Sequence, residues 1–541
     1  MEHLDVLIVG AGLSGIGAGH AVQANCPWAS YAVFEARDSL GGTWDLFRYP
    51  GIRSDSDMYT LGYSFRPWDG DRAIADGPSI LRYLRQTAEE TGVDRAIRYG
   101  HRVVRAGWST ADACWHVTTE RTDTGEAVQL TCGFLFSCTG YYRYDHGYLP
   151  EFAGTGRYAG RIVHPQAWPD DLDTTGKRIV VIGSGATAIT LVPALARTAA
   201  HVTMLQRSPT YIVSLPGRDP LADHVRRMLP PRLSGPLLRW LRALTTQGSY
   251  AFSRRWPGAV KRALRKQVVE LLPAGYDVDT HFSPHYDPWD QRLCVVPDGD
   301  LFAAIRAGTA SVVTDHVDTF TEHGVRTRSG VELEADIVVT ATGLDLLFLG
   351  GIALSVDGRA VDAGDRLTYR GMMLDGVPNL AIAIGYTNAS WTLKCDLICD
   401  QVCRLLAQMR STGMRQCTPV AEGCSGPTEP LLGLTSGYVQ RAAGRFPKQG
   451  ARFPWRVHQS YLRDYLALKL RRVNDPALAF TNPVGDGSPS TGPDGGTLSS
   501  LPSVTARFRR AGDRERSPAN EVAPADAGSR AGAGAGRDGR G

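Results

Sequence analysis

The chain lacks the marks of a membrane-spanning or secreted protein. Its longest apolar stretch, about 179–196, is broken by glycines, threonines and Pro193. It therefore reads as strand, turn and helix, not as a bilayer span. No signal peptide is expected, because Met1-Glu2-His3-Leu4-Asp5 is acidic and runs straight into an apolar strand. The ten cysteines show no paired spacing, which excludes a secreted disulfide framework and predicts a reduced, cytoplasmic setting. A net charge of +4 is too small to argue for nucleic acid.

What is present is a globular composition, with 43% hydrophobic residues in 541, enough for two or three domains. Two glycine-rich loops stand out. The first, Gly10-Ala11-Gly12-Leu13-Ser14-Gly15, follows the apolar run Val6-Leu7-Ile8-Val9. The second, Gly183-Ser184-Gly185-Ala186-Thr187-Ala188, follows Ile179-Val180-Val181-Ile182. A lone loop of this kind is weak evidence. Here each sits between a strand and a helix, where its glycines permit the turn, the approach to a pyrophosphate and the packing of the helix. Ala188 in place of the third glycine is a permitted variation.

The strand after each loop ends in a residue of opposite charge. Glu35 stands 25 residues after Gly10, and Arg207 stands 24 after Gly183. A carboxylate accepts from free ribose hydroxyls and repels a 2′-phosphate, whereas Arg207, with Ser208, can pair with that phosphate. The chain therefore reads as holding FAD first and NADPH second. The expected fold class is α/β, with two Rossmann-like dinucleotide-binding domains. No cysteine pair follows the first unit, which disfavours a flavin disulfide reductase.

Thr139-Gly140 and Thr342-Gly343 each close an apolar strand with a sharp turn, suited to a chain crossing between domains. The predicted parts are an FAD-binding region at 1–140, a linker at 141–176, an NADPH-binding region at 177–342 and a return to the FAD region at 343–481. A disordered tail is expected at 482–541, too poor in apolar side chains to offset the entropy of ordering. A helical insertion is expected at about 220–272. From 226 to 266 it has eleven basic residues and no acidic one. Peripheral docking to an anionic membrane surface is one reading, and a solvated helical cap over the substrate cleft is the favoured other. Pro230, Pro231, Pro236 and Pro257 are expected to break any long amphipathic face.

Two further segments bear on the cofactors. Gly41-Gly42-Thr43-Trp44-Asp45 would let backbone lie against a flat ring, with Trp44 covering it. Asp55, in the polar loop after Arg48-Tyr49-Pro50-Gly51, is either a capping carboxylate or a group near the flavin. Cys395, Cys399 and Cys403 recur on one helix face without a histidine nearby, so packing is expected and no metal site.

The segment Gly160-x-x-x-His164-x-x-x-Trp168-Pro169, between the two loops, resembles the fingerprint of flavin-dependent Baeyer-Villiger monooxygenases. Tyr158 replaces the family's usual Phe. The runs 42–55, 288–294 (Pro288-Trp289-Asp290-Gln291-Arg292-Leu293-Cys294) and 385–394 narrow the likeness to the ethionamide-activating kind of FAD monooxygenase, over about 2–470. This resemblance implies that NADPH reduces FAD, that dioxygen adds as a C4a-peroxyflavin, and that a ketone becomes an ester or lactone or a sulfur is oxygenated. It assigns Arg292 as the catalytic guanidinium and Asp55 as the acid that positions it. FAD contacts carried over are Ser14, Glu35, Thr43, Trp44, Asp45, Leu46, Asp55 and Val103. NADP contacts are Arg53, Ser54, Asp55, Gly183, Ser184, Gly185, Ala186, Thr187, Ala188, Ile189, Arg207 and Ser208. His164 is expected to act structurally. Gln291 stands where many relatives carry Lys, so NADPH preference rests on Arg207 and Ser208. Two other functions stand beside this one: an S- or N-oxygenating flavin monooxygenase without ketone activity, and a flavin-binding redox sensor without turnover.

Overall fold

A computed structural model of the chain describes residues 1–422 and 426–483. The expected tail lies outside the described residues from 484 onward.

Two sheets organise the molecule. The first begins with β1 (Glu2–Val9), followed by α1 (Leu13–Asn25) and β2 (Tyr31–Phe34). It continues with the antiparallel run β3 (His101–Ser109), β4 (Cys114–Arg121) and β5 (Ala127–Ser137). β1 lies between β2 and β5, parallel to both. The side chains of Val6, Leu7 and Ile8 are fully buried, as a strand covered on both faces requires.

The second sheet contains β6 (Arg161–Val163), β7 (Arg178–Ile182), β8 (His201–Gln206), β9 (Ala310–Thr314) and β10 (Ile337–Thr340). Its order is β9-β8-β7-β10-β6, and every pairing is parallel. The helix α2 (Ala186–Leu195) follows β7 and packs its Ile189, Leu191 and Val192 into the core of this sheet.

After β10 the chain returns to the first sheet. β11 (Ala353–Val356) pairs parallel with β3, and β12 (Leu380–Ile382) pairs parallel with β5 beyond the reach of β4. The helix α6 (Trp391–Thr412) then lies on α1, with Ile398, Val402 and Leu405 in one cluster with Ile16 and Val22. Cys395, Cys399 and Cys403 are buried in that same cluster, as the packing expectation holds.

Three helices fill the basic region: α3 (Pro220–Met228), α4 (Pro231–Arg255) and α5 (Pro257–Leu271). The expectation that prolines break any long face is corrected here, because α4 runs unbroken for 25 residues. Pro231 and Pro257 occupy first helical positions, where no backbone N–H is needed. Pro236 is the one proline inside α4, near its start.

The basic charge of these helices is largely engaged within the protein. Arg239 pairs with Asp396, Arg242 with Asp219, Arg254 with Asp290, Lys261 with Asp287 and Arg265 with Asp279. Arg226 donates to the carbonyls of Trp68 and Gly70. No helix among the described residues is long and apolar enough to cross a membrane.

Candidate functional site

Both glycine loops open onto one cavity of about 1750 Å³, large enough for two dinucleotides. Gly10 and Gly12 line it from the first loop, and Gly183 to Thr187 line it from the second. Gly15 sits behind the wall. A Cβ there would fall 1.7 Å from the Gly10 carbonyl oxygen, so only glycine lets α1 approach β1 this closely. Gly183 has φ +141°, and a Cβ would meet the Ala341 carbonyl at 2.3 Å.

Glu35 lines the cavity at the end of β2 and is almost wholly buried. Its Oε2 accepts from the Ala11 N–H at 2.7 Å and its Oε1 from the Arg37 N–H at 3.0 Å. Burial raises its pKa above the ordinary 4.5, against the pull of these hydrogen bonds. Arg207 also lines the cavity but is exposed, and it forms no ion pair among the described residues. Ser208 holds the loop by accepting from the Ser184 hydroxyl at 2.9 Å through its carbonyl.

Thr43, Trp44 and Leu46 line the cavity, as do Val103 and Arg53, Ser54 and Asp55. Asp45 does not. Its carboxylate is buried and turned away, accepting from Ser39 and pairing with Arg37, Arg48 and Arg85. With so many donors around it, Asp45 holds the loop and does not face the cavity. Ala188 and Ile189 likewise lie behind the wall, buried in α2.

Ser14 lines the cavity at the start of α1, but its hydroxyl is engaged: Trp391 Nε1 donates to it at 2.8 Å. Trp391 itself lines the cavity, and Tyr141 packs edge-on against it at 5.1 Å. Sequence reasoning passed over this link because it joins residues 377 positions apart. It also passed over a buried triad. Lys394 Nζ and Tyr386 Oη both donate to Asp464 Oδ2 at 2.7 Å, tying the cavity-lining Tyr386 to the C-terminal segment.

Arg292 lines the cavity, and its Nη1 donates to Asp55 Oδ2 at 2.9 Å. The two side chains are 30% and 38% exposed, and that exposure faces the cavity they line. Burial works against the guanidinium charge, but the Tyr141, Asp55, Tyr438 and Tyr142 oxygens outweigh it, and its pKa is raised. Arg292 Nε is buried without a hydrogen-bond partner. The capping alternative weighed for Asp55 falls to Asp57, which accepts from the Thr60 N–H at 3.0 Å.

The loop that carries Arg292 is fixed from three sides. Arg254 of α4 pairs with Asp290 at 2.7 Å, Lys261 of α5 pairs with Asp287 at 2.7 Å, and Thr435 donates through its N–H to the Asp290 carbonyl at 2.9 Å. Three residues on, Tyr438 lines the cavity near Arg292, and burial pushes its phenol up to about 12. It remains a proton donor at neutral pH. Thr245, Ser249 and Ser253 of α4 and Val260 and Leu264 of α5 also line the cavity, so the basic helices form part of its roof.

The fingerprint residues Gly160, His164 and Trp168 stand outside the cavity wall. A Cβ on Gly160 would meet the Tyr158 hydroxyl at 2.4 Å. That hydroxyl donates to the Ala335 carbonyl at 2.9 Å, which gives the Tyr-for-Phe departure a partner of its own. His164 Nδ1 accepts from the Gln166 N–H at 3.2 Å, and Gln166 Nε2 donates to the carbonyls of Arg143 and Tyr144. Burial holds the His164 pKa below its ordinary 6.5. Gln166, within the fingerprint segment, thus clamps the crossing segment at 143–144.

The residues fit the two cofactors. The loops provide glycine where backbone must approach a pyrophosphate, a carboxylate for ribose hydroxyls and a guanidinium, unpaired among the described residues, for a 2′-phosphate.

Comparison with known proteins adds to this geometry. A model for flavin-binding monooxygenase-like proteins matches residues 63–223, and one for NAD(P)-binding Rossmann-like domains matches residues 8–69. The FAD-containing monooxygenase EthA of Mycobacterium tuberculosis is 53% identical over 488 residues, covering 90% of this chain and 99% of that protein. The probable FAD-binding monooxygenase AlmA of Acinetobacter baylyi is 47% identical, covering 88% of this chain and 96% of that one. Among solved structures, an oxidised steroid monooxygenase bound to NADP superposes with a TM-score of 0.71 at 22% identity, covering 89% of this chain and all of that one. OTEMO in complex with FAD and NADP superposes with a TM-score of 0.64 at 23% identity, covering 77% and 88%.

Proposed function

The chain belongs to the FAD-containing monooxygenases, and from that membership we propose that it consumes NADPH and dioxygen to insert one oxygen beside a ketone carbonyl, giving an ester or lactone. The same enzyme oxygenates sulfur in thioethers and thioamides. In this reading the sheet built on β1 holds FAD and the sheet built on β7 holds NADPH.

The observation that carries the proposal is the Arg292–Asp55 pair at 2.9 Å, set in a cavity shared by both loops. Bound FAD supplies oxygen activation once NADPH has reduced it. Arg292 supplies a fixed positive charge for the negative oxygen that develops during insertion, and a guanidinium stays charged throughout. Asp55 orients that charge without neutralising its free donors. The Arg254, Lys261 and Thr435 contacts keep the loop from following the substrate. A preorganised donor of this kind is typically worth ~3–4 kcal/mol of barrier. Tyr438, protonated at neutral pH, is placed to donate to the substrate oxygen.

Product analysis under ¹⁸O₂ with an aryl ketone and a thioether tests this. Wild-type protein is expected to label both ester and sulfoxide. Arg292→Ala is expected to keep NADPH-driven flavin reduction and lose the ester. An unchanged ester yield would remove Arg292 from its role, and sulfoxide alone from the wild type would replace ketone insertion with sulfur oxygenation. Tyr438→Phe is expected to lower ester yield about tenfold, the worth of one hydrogen bond.

A further inference from the structure

The β3–β4 hairpin carries a second constellation, away from the cavity. Asp112, Cys114 and His116 alternate along one strand and its turn, so their side chains share a face. Their donor atoms lie within 4.8 Å of one another. Cys114 Sγ is 3.8 Å from His116 Nε2, and Asp112 Oδ2 is 3.3 Å from the same nitrogen.

That shared nitrogen decides between two chemistries. A nucleophilic Cys-His-Asp relay needs the thiol on one ring nitrogen and the carboxylate on the other. Here both approach Nε2, so the three donors converge on a point. A zinc ion about 2.0–2.1 Å from nitrogen and oxygen and about 2.3 Å from sulfur, at tetrahedral angles, holds N and O about 3.3 Å apart and N and S about 3.6 Å apart. The observed separations are close to both.

The surroundings support a fixed site. The tip of the hairpin is tied down by Thr110, whose N–H and hydroxyl donate to Asp357 at 2.7 and 2.8 Å. Ser109 Oγ donates at 2.7 Å to Asp112 Oδ2, the same oxygen that faces His116, and so fixes the carboxylate, as outer donors do in metal sites. Ala113, between two of the ligands, has φ +49°, an unfavoured conformation for a residue with a side chain. One group opposes: Arg415 Nη2 donates to the Asp112 carbonyl and places a positive charge nearby.

We propose that Asp112, Cys114 and His116 bind a divalent transition-metal ion, with zinc the best fit to a thiolate, imidazole and carboxylate set, and with water at the fourth position. The thiol gives its proton to solvent as sulfur binds the ion. With Asp112 and His116 half exposed or more, the ion is exchangeable and takes no part in oxygenation.

The test uses full-length, untagged, flavin-loaded protein stripped of metal and dialysed against zinc, with bound zinc measured by elemental mass spectrometry. X-ray absorption at the zinc edge then reads the ligands. The expected result is one saturable zinc per chain with a single sulfur neighbour at about 2.3 Å. Cys114→Ser and His116→Asn are expected to lose that binding while keeping flavin colour and NADPH oxidation. Ser109→Ala is expected to weaken it roughly tenfold. Absence of saturable binding, binding unchanged in both ligand variants, or a shell without sulfur would each overturn the site. His116 lies on the surface, so its variant remains informative even where Cys114→Ser disturbs the hairpin.

Discussion

At the first loop, Glu35 is buried with both carboxylate oxygens already accepting backbone hydrogen bonds, and Gly15 is pressed against Gly10. At the second, Arg207 is exposed and unpaired among the described residues, and nothing lies within 4 Å of a Cβ built on Gly185. The plan of strand, turn and helix is the same. The difference is how much of the site the protein completes before a ligand arrives. A finished site loses little further freedom on binding and releases its ligand slowly. An open one suits a ligand that must enter and leave in each cycle. The contrast fits the proposed assignment of FAD to the first loop and NADPH to the second.

The largest expected effect comes from filling the two loops. Gly15→Val should yield protein without flavin colour, since the new side chain meets protein backbone. Gly185→Val should keep its colour and remain reducible by dithionite, yet lose reduction by NADPH. Loss of FAD from both variants would erase the distinction between the loops. A smaller effect is expected at Arg207→Ala. Removal of a charge-assisted contact worth about 1.5–3 kcal/mol should raise the KM for NADPH roughly 10- to 100-fold and leave that for NADH nearly unchanged. Steady-state kinetics with the two nucleotides checks this, and an equal change in both would detach Arg207 from the 2′-phosphate.

The smallest effect concerns Glu35 and pH. Its raised pKa means that folding favours the protonated carboxyl. Stability from this group is present below its unfolded value and is lost as pH rises through the folded one. Glu35→Gln removes that loss. In thermal unfolding of the FAD-free protein, the difference between variant and parent should move in the variant's favour as pH rises above the ordinary glutamate range of about 4.3. A difference independent of pH would mean that Glu35 is not strained by its burial.

Much of this was legible in the chain because it is local. Each loop, its strand and the charge at the strand's end fall within about 25 residues, and steric rules set their roles. Arg292 and Asp55 were reached through resemblance, and the 237 residues between them show why spacing alone would not suffice. Tyr438, the Trp391–Ser14 link and the Lys394–Asp464–Tyr386 triad stayed hidden because they depend on how distant segments meet. The surroundings of the Asp45 side chain stayed hidden for a related reason: three arginines close on it only in the folded state. The prolines of α4 read as breaks in sequence because only the folded helix shows that it begins at Pro231 and runs on past Pro236.

One feature of the crossing segments has a practical consequence. Residues 141–148 and 342–347 run side by side, with Arg143 N–H donating to Asp345, Leu347 N–H to Tyr141 and Tyr148 N–H to Gly343. Departure and re-entry therefore share a single doorway. If a stretch bounded by that doorway is exchanged between relatives, both seams fall in one ladder, and nucleotide preference is expected to travel with it.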